Sequence, residues 1–313
     1  MKRLGEQPGA PRHALWPRRR VLGAGLAAAL PWLGGCATPL PLDPPPNPAP
    51  DGDGVALLQR SAEAHGLDAY RKLNDVNVRY NGQWRPLVDR IQPVLVDKGF
   101  RGASEERLLP SAGIVAQAYT GASGAKQVVF RGSTALPTDA AARRVDVWLN
   151  GQPSEDRDVL DASALVADAY GLFLFGPLWI HGRSELVRRA GSERVDGSLC
   201  EIVDVWLRPG LGRSALDRVS MSIDSGGRMR RVRLTLEGFA GTRGAVAQVD
   251  TFDHERRFGM LWPMRSYEEV VHPLSLPAHD WHIAGLDVDR GYDAPAITGS
   301  AFTGAAALPA ASR

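Results

Sequence analysis

The chain has 313 residues and near charge balance, 37 Lys+Arg against 35 Asp+Glu. That length holds about two average domains or one large all-β domain, and the balanced charge argues against a general nucleic-acid binder. A hydrophobic content of 44% argues against wholesale disorder and a polytopic membrane protein, and 2 cysteines exclude a disulfide scaffold or a Cys-rich zinc site.

The amino terminus reads as an address. Lys2, Arg3, Arg12 and Arg18-Arg19-Arg20 form a basic leader, and an apolar stretch follows from Val21 to Leu33. The stretch is short for a bilayer span but has the length of a signal-peptide core. It ends in Leu33-Gly34-Gly35-Cys36, which resembles the bacterial lipobox. Residues 1–35 are therefore expected to be a lipoprotein signal peptide. Cys36 is then the lipid attachment site, with a diacylglycerol on its thiol and an acyl group such as palmitate on its freed amine. Several acyl chains make a stable anchor where one gives marginal binding. Arg18-Arg19-Arg20-Val21-Leu22 also resembles a twin-arginine export signal. Ala37 follows the cysteine, and in the lipoprotein class a residue other than Asp there implies the periplasmic face of the outer membrane.

Residues 36–54 read as a Pro-rich tether, with seven prolines between positions 37 and 54. In polyproline geometry, at about 3.1 Å per residue, it would reach roughly 55 Å. The body is expected over 55–300. It opens with a helical pattern from Val55 to Leu73, in which Leu58, Ala62, His65 and Ala69 share a face and His65-Gly66 interrupts.

The period then changes to two. Val76, Val78 and Tyr80 alternate with polar residues, as do Val145, Val147 and Leu149 before the hairpin signal Asn150-Gly151. Further strands are expected around Cys200 to Trp206, Val219 to Ile223, Val232 to Leu236, Val246 to Phe252 and Met264 to Val271. Sheets with one apolar and one polar face are usually antiparallel. Many short strands in series predict a barrel, half-barrel or sandwich. Ala162 to Ile180 breaks the rhythm, with Asp168 as its single charge. Asp168, Gly171, Gly176 and Pro177 argue against a membrane span and for a helix buried against the sheet. Residues 301–313 are small and Ala-rich and are expected to be a loose tail.

These features together resemble the periplasmic lipoprotein-carrier superfamily with the LolA/LolB-like fold, in an uncharacterised proteobacterial lipoprotein branch. The residues carrying the resemblance are the helical opening Leu58 to Gly66, the meander Gly113 to Gly121 and the apolar helical insert. The run Asp196 to Val203 continuing through Met221–Gly226 and Arg231–Leu236, and the ending Ala278 to Val288, complete it. The resemblance implies a mainly β fold with helices: a strongly curved antiparallel sheet, a half-barrel, covered on its concave side by helices. It also implies a lipid or a lipoprotein acyl chain as partner, with no catalytic residue and no cofactor. An anchored chain departs from a soluble shuttle, so a fixed acceptor, sensor or scaffold fits better.

A one-layer sheet that its helices cover incompletely leaves a greasy groove. The candidate groove residues are Trp84, Trp148, Trp206 and Trp262, with Leu172, Phe173, Phe175 and Trp179 as a lid. The plain alternative for each is core, which would leave a structural or regulatory interaction module of the cell envelope with a self-filled groove. A third reading, a metal-dependent hydrolase, would use His254, His272, His279, His282 and Asp280. Against it, His279 and His282 are three apart in a segment unsuited to a helix, and His254-Glu255 lacks the second His of a zinc-protease helix. Asp287 to Asp293 is oxygen-rich but lacks EF-hand spacing, Cys200 reads as a small buried hydrophobe, and no G-x-S-x-G elbow occurs.

Overall fold

A computed structural model describes residues 40–46, 51–132, 143–301 and 307–308. The leader, the twin-arginine segment and Cys36 lie outside the described residues. Residues 38–313 cluster as one unit of contacts.

Among the described residues, thirteen strands form one antiparallel sheet that does not close on itself. The chain enters at its middle with β1 (Val76–Trp84), whose Val76, Val78 and Tyr80 are buried as their alternation requires. It then runs outward through β2 (Ala103–Leu109), β3 (Ile114–Gly121), β4 (Gly124–Arg131), β5 (Arg144–Leu149) and the two-residue edge β6 (Gln152–Pro153). Asn150 and Gly151 take positive φ of 52° and 79°, the conformation of the tight hairpin joining β5 to β6. After two helices the chain returns from the opposite edge. The returning strands are β7 (Ser184–Val195), β8 (Ser198–Leu207), β9 (Asp217–Asp224), β10 (Met229–Thr235), β11 (Val246–Arg257), β12 (Met260–His272) and β13 (Leu276–Val288). The last of them pairs with β1.

The opening helix is α1 (Gly52–His65), capped by the Asp51 side chain, which accepts from Gly54 N at 3.0 Å. It stops where expected. Gly66 has φ +97°, and a Cβ there would lie 2.4 Å from Gly259 O, so only glycine allows the turn into α2 (Leu67–Tyr70). The insert is α4 (Arg157–Phe175), following the short α3 (Pro86–Ile91) in chain order; α5 (Pro177–Ile180) and α6 (Ala294–Ile297) complete the helices. Every residue of α4 from Ala162 to Phe175 is buried, which is why charge is nearly absent from it. Among the described residues no helix is long and apolar enough to cross a membrane.

The insert packs on β3, β4, β5 and β12. Its one buried charge, Asp168, is fully engaged. Oδ1 accepts from Trp179 Nε1 at 2.8 Å and Arg183 Nη1 at 2.9 Å, and Oδ2 accepts from Arg183 Nη2 at 3.0 Å and Gly212 N at 2.9 Å. Burial pushes its carboxyl up, but the Arg183 guanidinium and these donors outweigh that and hold it below the ordinary carboxylate value. Arg143, just before β5, donates to Gly210 O and, at 2.7 Å, to Gly212 O in the turn before β9.

Two segments expected to be free are held in part. Leu40 is buried, Trp206 Nε1 donates to Leu42 O and Arg218 Nη1 to Pro41 O, each at 2.9 Å, so this part of the Pro-rich segment lies on β8 and β9. In the tail, Leu286 N donates to Leu308 O at 2.9 Å and Ala307 is buried.

Candidate functional site: an apolar hollow beside Trp84

The sheet face that meets α4 continues beyond the helix. On β12, Met260, Trp262, Met264 and Ser266 are buried on that face, and Glu268 and Val270 continue the row by alternation. Across this end, among the described residues, the helix that covers the sheet is α3, six residues long and started by Pro86. Between α3, the end of β1, the turn after β10 and the ends of β12 and β13 lies a hollow of about 300 Å³. Its walls are mainly apolar: Trp84, Val88, Leu95, Leu236, Val270, Leu276 and Ala278, with Ile91 and Leu274 at the mouth. Leu87, Ile91 and Leu274 are exposed, at 52%, 52% and 65%. Gln92 Nε2 donates to Gly241 O at 2.8 Å, tying the segment after α3 to the turn after β10.

Among the polar side chains on this wall, Gln92, Thr242, Arg243 and Glu268, the acid is Glu268. Burial pushes it up to about 7, against a smaller pull from Arg101. A bulge between Glu268 and Glu269 interrupts the pairing with β13 at this point.

Behind Trp84 lies a packed cluster of aromatic and charged side chains. The Trp84 ring stacks on His279 at 4.1 Å, and His279 stacks on Trp281 at 4.7 Å. His279 Nδ1 is 2.9 Å from Tyr170 Oη. Arg101 donates to Tyr170 Oη and Tyr119 Oη, both at 3.0 Å, and to Asp97 at 2.7 Å; Lys126 also donates to Asp97. Burial and then the Arg101 charge push His279 well below the ordinary histidine value, so the ring is neutral. The space left among these side chains is about 20 Å³, room for about one water.

The eight candidates read from the sequence divide. Trp84 lines the hollow, and none of the other seven does. Leu172, Phe173, Phe175 and Trp179 come together with Trp262 and Trp281 as packed core: Phe175 lies 5.4 Å from Trp179 and 5.7 Å from Trp262, and Phe173 lies 5.8 Å from Trp281. The segment expected as a lid is thus the centre of the molecule. Trp148 packs with a separate cluster around Ile114, Val129 and Ile297. Trp206 is buried under the Leu40–Leu42 segment, with Arg218 at 4.5 Å over its ring. Sequence reasoning missed Val88, Leu95, Leu236, Glu268, Val270 and Leu276. The usable signal was the density of aliphatic residues from Leu87 to Val96 without helical or strand periodicity.

The late histidines do not converge. His254 lies edge-on to His65 at 6.5 Å, His279 sits in the tryptophan stack and His282 is exposed. Among the described residues no cluster of three metal-ligating side chains occurs. In the oxygen-rich segment the backbone N–H groups of Arg290, Gly291 and Tyr292 all donate to Asp75, so this turn wraps a carboxylate. Burial pushes the Cys200 thiol up. A second depression, about 390 Å³, lies at Leu42, Arg157, Asp161 and Arg213, and there Arg157 and Arg213 both pair with Asp161.

No protein-family model matches the chain, and no curated protein sequence matches it. Solved structures do. A DUF1329 family protein from Desulfovibrio piger is similar at TM-score 0.50 and 12% identity, over 80% of this chain and 99% of that one. Over that span the two chains share a fold. A LolA superfamily protein from Nitrosomonas europaea is similar at TM-score 0.48 and 11% identity over 78% of this chain and 97% of that one. A putative outer-membrane lipoprotein-sorting protein domain from Vibrio parahaemolyticus is similar at 0.46 and 8% over 79% and 96%. At such identities the likeness concerns the fold and not the ligand.

Proposed function

We propose that this chain is a non-enzymatic lipoprotein of the cell envelope, anchored through Cys36 to the periplasmic face of the outer membrane. In this reading it binds an acyl chain, free or carried on a lipidated peptide, in the hollow between Trp84 and α3. The sheet is taken as a half-barrel rolled around α4. In support, β5 and β9 are second and eleventh in the sheet order, nine steps or about 43 Å apart on a flat sheet, yet Arg143 beside β5 bonds Gly212 beside β9. The hollow is then the end of the concave face that α4 leaves uncovered, since no α4 residue lines it.

The apolar hollow itself carries the reading. Its volume of about 300 Å³ is at the small end of ligand pockets and about twice that of a cavity known to hold benzene. That suits one alkyl segment. Burying eight methylenes contributes roughly 6 kcal/mol before association costs. The exposed Ile91 and Leu274 give the mouth an apolar rim over which a chain can enter.

The test is native mass spectrometry of unlipidated residues 36–313 (Cys36→Ser) with monodecanoylglycerol, beside Val270→Trp, which fills the hollow. One bound molecule, lost or weakened at least about tenfold by Val270→Trp, is the expected result. Lipid-free protein that takes up no probe, or binding indifferent to Val270→Trp, overturns the reading. The second reading, an interaction module with a self-filled groove, is favoured by the tight packing of Leu172, Phe173, Phe175 and Trp179, and it predicts no uptake.

A further inference from the structure

Three carboxyls have a value pushed up to about 7: Glu106 and Asp217, which are buried, and Glu268, which is half-buried. Two of them have donors. Glu106 accepts from Gln117 Nε2 at 2.6 Å, and Asp217 accepts from Thr235 Oγ1 at 2.6 Å and Leu211 N at 2.8 Å. Among the described residues no hydrogen bond or ion pair holds Glu268. It is also the one of the three that lines the hollow. Half-buried, it meets the hollow, so a ligand that fills the hollow takes water from its oxygens, and a donor on that ligand offsets the cost of leaving them unpaired.

We propose that Glu268 selects the ligand's polar end: the hollow takes an amphiphile whose head is uncharged and carries a hydrogen-bond donor, an amide N–H or a hydroxyl, and disfavours a carboxylate. The proposal rests on the acyl-binding reading and names the head group that reading leaves open.

The charges around Glu268 agree. Arg101 is occupied by Asp97, Tyr119 and Tyr170. It lies over the Trp84 ring at 5.5 Å, on the side of the packed cluster. His279, in register with Glu268 on β13, is neutral, and burial keeps the Tyr170 phenol protonated. On β11 the register partner is Val249. On α3, Asp89 pairs with Lys98 at 3.5 Å, and Arg90 is exposed. Arg243 is the cation that lines the hollow among the described residues, and it is exposed at the rim. An incoming carboxylate would therefore meet Glu268 with no inner cation to offset the repulsion, whereas an amide or alcohol would give Glu268 the donor it lacks.

The experiment is binding calorimetry on unlipidated residues 36–313 with decanamide, decanol and decanoate, at about pH 8 and about pH 5.5. At the higher pH the amide and the alcohol are expected to bind about tenfold tighter than decanoate. At the lower pH, where Glu268 is largely protonated, the gap narrows. Glu268→Gln keeps amide binding within about threefold and brings decanoate up to it. Equal affinities for all three probes, or tightest binding of decanoate through Arg243, overturn the proposal and leave the hollow as an acyl site. Binding of none of the three overturns the acyl-binding reading itself. Should Glu268→Gln fail to fold, the wild-type ranking and its pH dependence decide alone.

Discussion

The two ends of the helix-bearing sheet face share β12 and are finished differently. Around α4, large side chains fill the space, and the single charge Asp168 receives four donors. Beside Trp84 a six-residue helix spans the gap, about 300 Å³ stays open, and Glu268 receives no donor among the described residues. The difference teaches where to look for a ligand in this molecule. A buried charge with every oxygen engaged is part of the scaffold, whereas a half-buried carboxyl facing unfilled space can take a partner there. The aromatic wealth of 170–180, which draws attention in the sequence, belongs to the finished end.

That comparison can be broken by substitution, and the largest effect belongs to the filled end. Asp168→Ala strands the Arg183 and Arg143 guanidinium groups in the core and is expected to cost about 3–5 kcal/mol in urea unfolding. A loss under about 1 kcal/mol would mean that the network is not the clamp its geometry indicates. Next comes a matched pair. Leu172→Ala, at a fully buried position, should cost about 2–5 kcal/mol, whereas Leu274→Ala at the rim should change stability by no more than about 0.5 kcal/mol. Comparable losses at the two sites would show that the hollow is as tightly closed as the core.

The smallest effect sharpens the comparison through pH. The folded-state value of Glu268 is raised to about 7, above the unfolded value of about 4.3. Its contribution is therefore fully present below about pH 4 and is lost as pH rises through about 7. Glu268→Gln removes this slope, while Glu106 and Asp217 contribute equally to both proteins and cancel in the difference. The stability of Glu268→Gln relative to wild type should therefore grow by about 1–2 kcal/mol from about pH 5 to about pH 8, after allowance for solvent reaching the carboxyl from the hollow. A flat difference would place Glu268 in water and remove the contrast with Asp168.

Much of the sheet was legible. Alternation identified β1, β5 and β8 to β12, and the two-residue signal Asn150-Gly151 marked its hairpin. Nearly charge-free composition marked α4 as buried, and Gly66 marked the end of α1. The edge strand β7 escaped, because most of its residues are exposed and it has no clean apolar row. So did β13, in which a bulge breaks the alternation and Pro277, His279 and His282 blur the pattern. Of the eight candidate groove residues only Trp84 lines the hollow. Aromatic content reports how much surface a side chain buries, not whether a neighbour has already covered it.

By itself, then, the amino-acid order determined that this protein is rich in antiparallel strands and carries a buried apolar helix, because residue periodicity and charge density are local properties of the chain. Only the tertiary structure decided which end of that sheet stays open. Trp84, Leu236, Glu268 and Leu276 come from four separate segments, and the reach of α4, about 28 Å for its 19 residues, is set by where Arg143, Arg183 and Gly212 pin Asp168. Such contacts join residues far apart in sequence, so no local pattern records them.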